Sequence, residues 1–128
     1  MARIPEKFNA LLASKSLAHF ATLMADGSPQ VTPVWFDYDG EYIRINTAVG
    51  RLKDRNVRRD PRVAVSITDI DEPETALCVR GTVIAITEDP DLTHMNALTR
   101  KYRGDDWQPV RGQMRVVYKI RADKIAGE

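Results

Sequence analysis

The chain has 128 residues, of which 43% are hydrophobic and 29% charged, with 19 Lys and Arg against 18 Asp and Glu. That is one domain, residues 1–128, able to bury roughly two thirds of its unfolded surface and so to build a core without staples. One cysteine excludes an internal disulfide framework and a cysteine-based zinc site, a net charge of +1 argues against a general polyanion binder, and no apolar run approaches a membrane span.

The opening Met-Ala-Arg-Ile-Pro-Glu-Lys lacks the apolar stretch of a signal peptide, so a cytoplasmic protein is expected. Pro5 to about Ser14 reads as a short helix, with Phe8, Leu11 and Leu12 on one face. Leu17–Met24 reads as a buried strand. After the turn Ala25-Asp26-Gly27-Ser28-Pro29, Gln30–Asp37 reads as another, and Pro33 within it implies an edge or a bulge. Asp37-Tyr38-Asp39-Gly40 is the expected hairpin turn, and Glu41–Thr47 alternates as the returning strand. Gly50–Asp60 reads as a surface helix ended by Pro61. Strands are expected over Val63–Thr68 and Ala76–Thr87, the latter bulged at Gly81. Asp89 to about Tyr102 reads as a helix starting near Pro90, with Leu92, Met95 and Leu98 inward. A loop and a last strand, Met114–Ile125, complete the chain. Six strands and three short helices favour a mainly β fold, an antiparallel sheet closed into a barrel.

Familiar catalytic signatures are missing: there is no nucleophile elbow, P-loop or dinucleotide fingerprint. His19 and His94 lack a partner at metal-ligand spacing and read as core or surface histidines, and no metal site is expected. Cys78, in Ala-Leu-Cys-Val, reads as a small buried hydrophobe. Asp69, Asp71, Glu72 and Glu74 read as a solvated turn.

The informative segment runs from Thr47 to Arg62. Between Arg51 and Arg62 it carries six basic side chains against Asp54 and Asp60. A strand, a glycine-containing turn and a helix start make a phosphate-binding geometry. Arg51 offers a planar fork and Lys53 a point charge. On a regular helix the two would diverge by about 200°, so both reach one phosphate only if Arg51 precedes the first turn. A solvated charged helix and a nucleic-acid contact are the other readings; the segment has no interleaved aromatic residue for base stacking. A second stretch, Gly27–Phe36, places Trp35 beside a proline-bent strand. That could form a flat wall for a planar heterocycle, or simply core or interface.

Several pieces occur in order: Leu-Ala-His-Phe-Ala-Thr-Leu, then Asp-Gly-Ser-Pro-Gln-Val-Thr-Pro-Val-Trp-Phe, then Thr47 ahead of Arg51-x-Lys53-x-x-Asn56-Val57-x-x-Asp60-Pro61-Arg62-Val63. Val-Arg-Gly-Thr-Val and Arg-Val-Val-Tyr-Lys-Ile follow. Together they resemble the pyridoxamine 5′-phosphate oxidase-like superfamily of FMN-binding split β-barrels, over nearly the whole chain. Arg-x-Lys-x-x-Asn with Asp-Pro-Arg most resembles the branch that uses the deazaflavin coenzyme F420. The resemblance implies a homodimer with cofactor sites at the interface. It implies cofactor contacts from Thr32, Pro33, Val34 and Trp35 at the ring, and from Thr47, Gly50, Arg51, Lys53 and Asn56 at the phosphate end. Thr75 is a looser candidate, and Tyr102 and Trp107 could border the substrate pocket. The implied activity is hydride transfer from reduced F420 to a small conjugated, electron-poor substrate, with no catalytic side chain named. Arg55, Arg58 and Arg59 could meet the carboxylate tail of F420. An FMN-dependent oxidase or reductase, a non-catalytic F420 carrier and, more remotely, a nucleic-acid-binding module remain the alternatives.

Overall fold

The computed structural model describes residues 1–127. Its strands are β1 (Ala18–Leu23), β2 (Pro29–Val34), β3 (Asp37–Tyr38), β4 (Ile43–Ala48), β5 (Arg62–Thr68), β6 (Ala76–Glu88) and β7 (Arg115–Gly127). The helices are α1 (Asn9–Ala13, after a 3-10 turn), α2 (Leu52–Arg59) and α3 (Thr93–Arg103). One antiparallel sheet runs in the order β2-β1-β5-β6-β7-β4-β3. The long strands β6 and β7 join its two halves. Their ladder shifts register at Arg80/Gly81 and at Val83/Ala85, where the sheet bends. Gly81 is required there, because a Cβ would collide with the Arg121 carbonyl oxygen. Among the described residues no ladder joins β2 to β3, so the curled sheet is split rather than closed.

Alternation puts Val63, Val65 and Ile67 of β5 inward, and Phe20, Ile45, Leu77 and Tyr118 complete the centre of the core. Val57 of α2 and Phe8 and Leu12 of the N-terminal segment cover it. Pro33 lies on an edge strand, where its missing N–H breaks no second ladder. No helix among the described residues is long and apolar enough to cross a membrane.

Four expectations need correction. Asp37 and Tyr38 form β3, a seventh strand, rather than the hairpin turn. Asp39 closes that turn alone, its Oδ1 accepting the N–H groups of Glu41 (2.9 Å) and Tyr42 (2.7 Å). The preceding strand accordingly stops at Val34. Helix α3 begins at Thr93, not near Pro90. The Asp89 carboxylate accepts the His94 and Met95 N–H groups at 3.2 and 2.9 Å, and Leu92 is left-handed and only half-buried. Cys78 is exposed, because its neighbours Leu77 and Val79 take the inward positions of β6.

Candidate functional site

The site is built around the start of α2. Strand β4 ends at Ala48, and Gly50 turns the chain with φ +92°. The Gly50 N–H donates to Asp54 Oδ2 at 3.0 Å, fixing the turn onto the helix it precedes. Arg51 is the residue ahead of α2, extended at ψ 159°, and its carbonyl accepts the Arg55 N–H. Its side chain therefore does not follow the helical screw. Arg51 and Lys53 line the same pocket, which meets the condition for gripping one phosphate.

This pocket has a volume of about 380 Å³ and draws on β2, β4, α2, α3, the 104–114 loop and β7. Pro33, Val34 and Trp35 form one wall, and Asn46 and Thr47 of β4 form another. Its charged lining groups are Arg51, Lys53, Arg103 and Arg115, and no carboxylate among the described residues lines it. Burial, then the charges of Arg51 and Arg115, push the Lys53 ammonium below the usual lysine range. Burial first, and Arg51 second, lower Arg115 to about 10, with Asp89 opposing. Mutually repelling, partly desolvated cations are a site awaiting negative charge. The Thr47 hydroxyl is buried in the same lining without a hydrogen-bond partner. An anionic, phosphate-bearing cofactor fits both features.

Trp35 stacks on Tyr102, with ring centroids 5.1 Å apart and planes 6° from parallel. The Tyr102 hydroxyl donates to the Ser16 carbonyl at 2.8 Å and accepts the Phe36 N–H at 3.2 Å, so this platform is anchored. Burial pushes that hydroxyl up to about 12, with its bonding to the Phe36 backbone opposing and the Asp37 charge adding to the rise. Arg103 lies 5.2 Å from the Trp35 ring. Trp107 packs under Arg115 at the same separation, and Asn96 Oδ1 accepts its backbone N–H.

Of the residues singled out in the sequence, Pro33, Val34, Trp35, Thr47, Arg51, Lys53 and Trp107 meet at this pocket. Thr32 does not line it; it pairs opposite Phe20 on the core-facing side of the sheet. Gly50 contributes the turn rather than a wall. Asn56 is turned away: its Nδ2 donates to Thr22 Oγ1 at 3.0 Å and to Met24 Sδ, and its Oδ1 accepts from Arg59. Thr75 lies in the turn before β6, outside the lining. Arg58 is paired with Asp54, and Arg59 also donates to the Leu23 carbonyl, which leaves Arg55 the freest of the three outer arginines. Sequence reasoning missed Asn46, Arg103 and Arg115. Arg115 opens a strand whose other residues pack ordinarily, and only the sheet brings it beside Lys53.

Residues 4–127 match the family model described as pyridoxamine 5′-phosphate oxidase. The chain belongs to this family. A solved structure named F420 reductase shares 35% identity over 96% of this chain and 98% of its own, with a TM-score of 0.88. A conserved hypothetical protein from Mycobacterium tuberculosis shares 23% identity over 99% and 85% of the two chains (TM-score 0.77). A FAD-binding protein from Mesorhizobium loti shares 19% over 94% and 89% (TM-score 0.65). The last two likenesses show the fold alone. Within this family member, the pocket combines an anion cradle with a flat aromatic wall. Among the described residues its lining contains no carboxylate, histidine or cysteine. The geometry suits binding and orienting a cofactor that brings its own redox chemistry.

Proposed function

We propose that this chain is an F420H2-dependent reductase acting on small, conjugated, electron-poor acceptors. The observation that carries the reading is the convergence of Arg51, Lys53 and Arg115 beside the unpartnered Thr47 hydroxyl, in a pocket without carboxylates. The likeness to the protein named F420 reductase supports the choice of cofactor.

Bound F420H2 would supply the hydride. Arg51, with its planar fork, and Lys53 and Arg115, as further positive charge, would hold the phosphate end. The Thr47 hydroxyl would gain there the partner it lacks. Pro33, Val34 and Trp35 would provide a flat face for the ring, and Met95, Leu98 and Trp107 would exclude water from it. We propose further that the chain forms a homodimer. The open face of β1, β2, β5 and β7, with Ala21, Val31, Ala64 and Ile125 around a cavity of about 490 Å³, would supply an apolar surface for a second copy.

One observation favours FMN as a second reading. Two of the three outer arginines that could meet an F420 tail are tied to Asp54 and to the Leu23 carbonyl. FMN, which ends at its phosphate, needs none of them. The test is anaerobic mixing of the protein with F420H2 and a panel of activated alkenes, following cofactor oxidation. Protein-dependent oxidation that the Arg51→Ala Lys53→Ala double variant abolishes supports the reductase. Binding of F420 with no turnover on any acceptor supports a carrier instead.

A further inference from the structure

From Arg115 and Asn46 in the pocket lining, a buried polar chain runs behind the wall, and its other members have no part in the proposed function. Asn46, Asp89, His94 and Arg115 are each at most 8% exposed. Arg115 Nε donates to Asn46 Oδ1 at 2.9 Å. Asn46 Nδ2 lies 3.1 Å from both Asp89 Oδ2 and His94 Nδ1. On its far side His94 Nε2 lies 3.1 Å from Asp37 Oδ1, and Asp37 is held by both Nε and Nη2 of Arg44.

The donors and acceptors leave one consistent assignment. Arginine only donates, so the Asn46 atom facing it is the oxygen. The amide nitrogen then faces Asp89 and His94, giving one hydrogen to each. His94 Nδ1 must therefore accept, and its proton sits on Nε2 and points at Asp37. Arg115 has five N–H groups. Three are used, by Asn46, by Gln113 Oε1 at 3.2 Å and by Met95 Sδ at 3.3 Å. Two remain, on a guanidinium that lines the pocket.

We infer that Asn46 and His94 are positioning residues for Arg115, and that the His94 tautomer fixes the amide orientation that aims the guanidinium at a bound anion. This inference rests on the pocket being an anion site. It does not depend on which cofactor supplies the anion. An Asn46 amide turned over would set its NH2 against Arg115, donor against donor, and release the guanidinium. A histidine accepting at Nδ1 blocks that turn, because the amide oxygen would then face both Nδ1 and Asp89.

The test is nitrogen-15 NMR of the full chain, first without ligand and then titrated with inorganic phosphate. The expected spectrum shows His94 protonated at Nε2 and bare at Nδ1, with a slowly exchanging Arg115 Nε–H that phosphate shifts. In His94→Leu that Nε–H should exchange rapidly, and phosphate should bind roughly fivefold more weakly. His94→Gln, which can accept from Asn46 and donate to Asp37, should restore both. A proton on Nδ1 in the wild-type protein would overturn the inference. So would His94→Leu with an unchanged Arg115 signal and unchanged phosphate affinity. If the Leu variant does not fold, the wild-type tautomer and the Gln variant still decide the matter: a Gln variant that folds but loses the Arg115 signal contradicts it. Phosphate binding with no F420 binding would leave this inference standing and remove the proposed function.

Discussion

Tyr118, in the middle of β7, donates its hydroxyl to Asp54 of α2 at 2.6 Å, and both side chains are at most 1% exposed. Asp54 also accepts the Gly50 N–H and the Arg58 Nε, each at 3.0 Å. One carboxylate thus ties the barrel core to the turn that presents Arg51. Burial pushes the Asp54 carboxyl up, but the bonds from Tyr118, Gly50 and Arg58, with the Arg58 charge, outweigh it and hold the group below the usual range.

Stability should therefore respond to acid through Asp54. A carboxyl lowered in the folded state adds stability that is present above its unfolded value near 4 and is lost as pH falls through the folded value. Asp54→Asn should flatten the acid limb of the melting curve, measured as Tm against pH. Tyr118→Phe should cost about 1–3 kcal/mol in urea unfolding. An unchanged acid limb in Asp54→Asn would remove Asp54 as its cause.

Arg51 and Lys53 should act on binding rather than on folding. Arg51 is exposed and Lys53 half-buried, and no salt bridge holds either among the described residues. Each alanine variant should weaken F420 binding roughly tenfold or more, the loss of one charge-assisted hydrogen bond. Arg51→Lys should not restore affinity, because a point charge cannot reproduce the fork. Fluorescence titration and thermal melts on the same samples separate the two effects.

Anion binding should be coupled to proton uptake at Lys53. Its ammonium is depressed in the free protein by burial and by Arg51 and Arg115. A bound anion favours the charged form and raises the value in the complex. Affinity should be flat below the free-protein value of Lys53, which lies under the usual lysine range, and fall as pH rises through it. Lys53→Met should bind more weakly and lose that slope. A slope retained in Lys53→Met would assign the proton elsewhere.

Asn56 provides the converse case. Its side chain is satisfied by Thr22, Met24 and Arg59, away from the pocket. Asn56→Ala should cost about 1–3 kcal/mol of stability, because it strands the buried Thr22 hydroxyl. F420 affinity should stay within about twofold of the wild-type value. A selective loss of affinity at unchanged stability would return Asn56 to the cofactor site.

These contrasts show what was legible in the sequence. The strands were readable because Val63, Val65 and Ile67 alternate, and because Pro33 and Gly81 mark an edge and a bulge. The Thr47–Lys53 turn was readable because its charge and glycine are local. Asn56 entered only through the Arg-x-Lys-x-x-Asn resemblance, and helical geometry turns it toward Thr22 and Met24, away from the pocket. Arg115 was invisible for the opposite reason. It lies 62 residues from Lys53 along the chain, and only β4 pairing with β7, Thr47 beside Val116, brings them together. His94 read as an isolated histidine because its partners, Asp37 and Asn46, come from two strands far from α3 in sequence.

The most direct measurement is a paired fluorescence titration of the purified protein with F420 and FMN at low salt. Tight F420 binding with much weaker FMN binding, both lost in the Arg51→Ala Lys53→Ala double variant, is the expected result. The reverse preference, or F420 binding that survives the double variant, would contradict the proposed deazaflavin site.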